Sequence, residues 1–67
     1  MNYYQILPEQ KLSVKFLTYS SAQNLNTGQV VKINLRNKIR WGLVIGKLTE
    51  TQIGDKSKIK EILATVP

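Results

Sequence analysis

Apolar and polar positions alternate along most of this chain with the period of an extended strand. Val31, Ile33 and Leu35 alternate with Lys32, Asn34 and Arg36. A period of two buries one face and turns a basic one to water. The polar connection Arg36-Asn37-Lys38 leads into a second extended run, Ile39 to Leu48, almost wholly apolar at Trp41 and at Leu43 to Ile45. Trp41 is expected in the core, its indole body buried and its N–H at the rim, with stacking on a nucleic-acid base as the alternative. Gly46, isolated within the run, marks an expected bulge or bend. Upstream, Asn2 to Leu7 reads as a strand closed by Pro8. Leu12 to Tyr19 reads as another, with apolar residues on both faces. Ser20 to Gly28 is a polar connection with one apolar anchor, Leu25, and turn chemistry at Asn26-Thr27-Gly28. Tyr3, Tyr4 and Tyr19 are expected to pack together.

The C-terminal third is less regular. Thr49 to Lys58 is charged and polar and reads as a loop. In the last segment Ile59, Ile62, Leu63 and Val66 fit a helical spacing, whereas Lys60, Ile62, Ala64 and Val66 fit a strand. Counting favours the helix and β-branching favours the strand. Four or five short strands with little helix predict a mainly β domain: a small five-stranded barrel-like or rolled antiparallel sheet, OB-like in character.

Composition narrows the function. The 67 residues form a single domain, 1–67, with a thin core. Neither cysteine nor histidine occurs, so thiolate zinc sites and the commonest general base are excluded. No Walker-type loop follows Gly42 or Gly46, and Ser20 and Ser21 have no histidine to activate them. The chain reads as a binding module, not an enzyme, with no cofactor of its own. No segment reads as a signal peptide or membrane span, so a cytoplasmic location without membrane contact is expected. Ten Lys and Arg against four Asp and Glu leave a formal charge of +6. That charge predicts salt-sensitive attraction to phosphate. Arg36, Lys38 and Arg40 make the central connection a cationic grip, and all four acids lie outside it. The chain ends at Val66-Pro67 directly after an apolar run, and is expected to be a piece of a longer protein.

Five segments in order resemble the N-terminal DNA-binding domain of the replication-restart helicases, the PriA family (primosomal protein N′). They are Tyr3 to Pro8, Phe16-Leu17-Thr18-Tyr19, Leu25 to Ile33, Arg40-Trp41-Gly42-Leu43-Val44-Ile45, and Ile59-Lys60-Glu61-Ile62-Leu63. Together they span nearly the whole chain. The resemblance implies recognition of the 3′ end of a nascent strand at a stalled replication fork. It implies a strand for Ile59 to Val66, and a parent helicase whose ATP and zinc sites lie outside this sequence. Other primosome or single-strand-binding proteins would be met through that remainder. By position, the family's end-binding pocket maps onto Leu17, Thr18, Arg36 and Lys60. Leu17 stands where an aromatic is common, Thr18 where some members carry aspartate, and Asn34 where proline is frequent.

Two other readings stay open. A general RNA-binding β-barrel of a ribosome-associated protein fits the charge equally well. An SH3-like protein-interaction module fits less well, because the aromatics are few and scattered.

Overall fold

The alternating segments pair into one curled sheet. The structure, a computed structural model, describes residues 1–9, 16–54 and 56–66. Its strands are β1 (Asn2–Pro8), β2 (Leu17–Ser21), β3 (Val30–Leu35), β4 (Lys38–Leu48), β5 (Lys60–Glu61) and β6 (Ala64–Thr65). They lie in the order β5-β2-β1-β4-β3-β6. The chain is therefore mainly β, as its alternation predicts. The helical content among the described residues is two single 3₁₀ turns, Glu50–Gln52 and Lys56–Lys58.

The curl is drawn together by the last segment. β5 pairs with β2 at one edge of the sheet, and β6 pairs with β3 at the other. Consecutive backbone N–H groups point to opposite sides of a strand. Accordingly Ile62 N–H donates to Ser20 O at 2.8 Å, and Leu63 N–H donates to Lys32 O at 2.9 Å. Lys60–Thr65 is thus one kinked strand in two pieces, which reconciles six short strands with five. The β2–β5 pair is parallel, a departure from the all-antiparallel expectation that follows from this closure.

Local chemistry explains each joint. Arg36 and Asn37 have φ of 52° and 65°, the two positive values that a two-residue type I′ hairpin requires. Gly28 has φ of 94° in the turn where Gln29 N–H donates to Asn26 O at 3.1 Å. Gln5 of β1 faces Gly46, but Ile6 faces Val44, leaving Ile45 as an extra residue. The bulge expected near Gly46 is therefore present, and it bends β4 into the curl.

The inside of the curl holds Tyr4, Ile6, Tyr19, Val31, Ile33, Val44 and Ile62, with Leu17 and Leu25 packed against them. Tyr4 and Tyr19 face each other across β1 and β2, while Tyr3 is only half-buried and outside the cluster. The Tyr4 hydroxyl donates to Gln23 O at 3.0 Å and accepts from Leu25 N–H at 2.9 Å, fastening the connection after β2. Three expectations are corrected. Ser20 and Ser21 belong to β2, not to the loop after it. Phe16 is exposed and precedes β2, while residues 12–15 of the expected second strand lie outside the described residues. Trp41 is not in the core: it is 45% exposed on the outer face of β4. A single curled layer has one interior, so the outward half of even an apolar strand faces water.

Candidate nucleic-acid interface

The closure leaves a gap at one end of the seam. β5 holds β2 only at Tyr19 and Ser20, and β6 holds β3 only at Val31 and Lys32. Leu17 and Thr18 on one side, and Asn34 and Leu35 on the other, run past those pairings. Before Lys60 the chain turns away through Lys56–Lys58. The result is a solvent-open recess of ≈ 340 Å³, lined by Leu17, Thr18, Tyr19, Asn34, Leu35, Arg36, Lys58 and Lys60.

Four of the six residues singled out from the sequence, Leu17, Thr18, Arg36 and Lys60, therefore line one recess. They come from positions as far apart as 17 and 60 and meet because β5 pairs with β2 while the β3–β4 turn projects beside it. Lys38 and Arg40 do not line it. Lys38 is exposed opposite Leu35, and Arg40 is half-buried opposite Ile33. Tyr19, Asn34, Leu35 and Lys58 line the recess without having been singled out. Lys58 carried a signal, a cation two residues before Lys60, but its loop gave no reason to place it at the seam.

The electrostatics of the recess are one-sided. Arg36, Lys58 and Lys60 border it, and among the described residues no acidic side chain does. The one ion pair found among the described residues, Lys56 to Glu50 at 3.3 Å, lies outside it. Arg36 also occupies the left-handed backbone region, which costs a non-glycine residue of order 1–3 kcal/mol. The hairpin geometry holds it there and aims its cation at the rim. Beneath the cations, the Tyr19 hydroxyl donates to Asn34 O at 2.8 Å and bridges β2 to β3 across the gap. Asn34 Oδ1 is buried with no hydrogen-bond partner among the described residues.

Burial pushes the Tyr19 phenol above its ordinary pKa of 10.0. The neutral phenol is then the form the fold prefers. Its stabilising contribution is complete below pH 10.0 and is lost as pH rises through the higher folded value. Urea melts of the wild type and Tyr19→Phe test this. At pH 8 the wild type is expected to be more stable by about 1 kcal/mol, the worth of one hydrogen bond. The difference closes as pH climbs beyond the ordinary phenol range, and a gap that stays constant would refute the assignment.

Among the described residues no cluster of acidic groups could hold a metal ion, and no helix is long and apolar enough to cross a membrane. The fold and site define a small basic β module with a cation-rimmed recess at its seam. Comparison with protein-family models, curated proteins and solved structures finds no significant match.

Proposed function

We propose that this chain is a DNA-binding module that holds the 3′ end of a strand, the role implied by its resemblance to the replication-restart helicases. The observation that carries the reading is the convergence of Leu17, Thr18, Arg36 and Lys60 on one recess. A terminal nucleotide presents a sugar hydroxyl and no onward phosphate, and selection for an end requires that the bound recess leave no path for that phosphate. Leu17 and Leu35 offer its base an apolar rest, and Thr18 offers a hydroxyl that donates or accepts to suit any base edge. Arg36, Lys58 and Lys60 neutralise the last phosphates, as point charges in the case of the lysines. Such a site holds an end without reading sequence.

Fluorescence anisotropy with short single strands tests the reading, and the sign of the result is diagnostic. Net charge alone favours a strand ending in a 3′-phosphate, which adds negative charge beside three cations. End recognition favours the free 3′-hydroxyl. Tighter binding of the hydroxyl-terminated strand is expected. Equal affinities, or a preference for the phosphate, would remove the end-binding role. Tighter binding of folded RNA than of either strand would support the ribosome-associated reading in its place.

A further inference from the structure

We infer that the outer face of the β3–β4 hairpin is a second contact surface for single-stranded nucleic acid, with Trp41 as a base-stacking platform for the nucleotides preceding the end held in the recess. This rests on the reading above and extends it from one nucleotide to a short track.

Three cross-strand pairs build the face: Asn34 with Ile39, Lys32 with Trp41, and Val30 with Leu43. Alternation places Val30, Lys32, Ile39, Trp41 and Leu43 on the side away from the core, with the apolar members open to water, while Asn34, its Oδ1 buried, sits at the edge between this face and the recess. Ile39 is 69% exposed, Trp41 45%, and Val30 and Leu43 37% each. Contiguous apolar exposure of this kind on a small domain marks a contact site. Successive pairs on one face are about 7 Å apart, a step that one extended nucleotide spans.

Two observations point to nucleic acid as the occupant. The first is continuity: Asn34 forms the first pair of the face and also lines the recess, so a strand leaving the recess meets Ile39 next and Trp41 after it. The second is charge. Lys32 Nζ lies over the indole, 5.4 Å from its centroid, and the stretch from Lys32 to Arg40 holds four cations and no acid. A base that stacks on that indole face displaces the Lys32 ammonium from it, and the freed cation is then at hand to neutralise the phosphate. The track has a physical limit. Glu9 borders the far end beside Pro8, Val30, Trp41 and Leu43, and its carboxylate repels further backbone.

Trp41 is the sole tryptophan, so its emission reports on this face directly. Titration with thymidine oligonucleotides of about two to eight residues, ending in a free 3′-hydroxyl, is expected to quench it for strands longer than the dinucleotide, which stops short of Trp41. Affinity should rise with length to about four nucleotides, the low end for one small barrel, and then level off. Trp41→Ala should weaken the four-residue strand roughly tenfold, the worth of one stacked base. It should leave the dinucleotide and the melting temperature unchanged, whereas Trp41→Phe should restore part of the loss. Binding seen by anisotropy without any change in emission would overturn the platform while leaving the end-binding role standing. Quenching that is the same for 3′-hydroxyl and 3′-phosphate strands would keep the platform and remove the end-binding role. No binding of any strand overturns both.

Discussion

Gly42→Ala is expected to lower the melting temperature by roughly 10 °C or more, with little change at any other glycine that carries an ordinary backbone angle. A Cβ at Gly42 would lie 2.5 Å from Ile6 Cγ2, well inside contact distance. Ile6 cannot give way, since it is fully buried and its branched Cβ fixes χ1. Ile33 and Val31 already stand at contact distance, 3.5 and 3.7 Å, so the added methyl has no free space among these three of the seven buried core residues. Overpacking of this kind costs about 1–3 kcal/mol, and a domain of this size loses about 4–8 °C per kcal/mol. Gly46→Ala is the control on the same strand. Its Cβ would meet only Gln5 Oε1, at 3.9 Å, so the melt should be unchanged. Differential scanning calorimetry of both variants decides it, and an equal fall in the two would show that β4 tolerates no side chain for reasons other than Ile6.

The same packing explains which parts of the fold could be read from the sequence. The β3–β4 hairpin was legible because two independent signals agreed. Val31 and Ile33 alternate with polar neighbours, and the tight polar connection Arg36-Asn37-Lys38 follows, of which Lys38 proves to belong to β4. The last segment was not legible, because Ile59, Ile62, Leu63 and Val66 do not share one interior. Ile62 enters the core while Leu63, its neighbour, remains exposed on the outside. Their helical spacing is the by-product of a kinked strand serving two edges at once. Trp41 was misplaced for a related reason. The apolar run around it reads as a strand covered on both faces, but among the described residues no second layer covers the outside, where Trp41 is 45% exposed.

The recess was legible only in part. Leu17, Thr18, Arg36 and Lys60 could be named from the resemblance, since each sits at a matching position in an ordered series. Asn34 and Lys58 could not, because what brings them in is the parting of β5 and β6 to opposite edges, a long-range event. Lys38 and Arg40 stood in the same basic block as Arg36. They fall away from the recess because only the first residue of the turn faces the seam. Charge density along a sequence does not say which cations converge.

That convergence has a measurable consequence. Replacing both Arg36 and Lys60 by alanine is expected to weaken end binding about 25-fold at 0.1 M salt, from a slope near −0.7 per phosphate neutralised on a single strand. The same relation makes the loss shrink as salt rises, so the lines for wild type and variant converge toward 1 M. Neither substitution should unfold the protein, since both side chains are exposed; Arg36 occupies a strained backbone angle that alanine tolerates equally poorly. Lys47→Ala provides the comparison, an exposed cation toward the other end of β4 bordering a different surface. If attraction to the net charge were the whole effect, each lost cation would cost the same wherever it sat. A recess that grips the final phosphates requires Lys47 to contribute far less than half of what the pair contributes, in both affinity and salt slope.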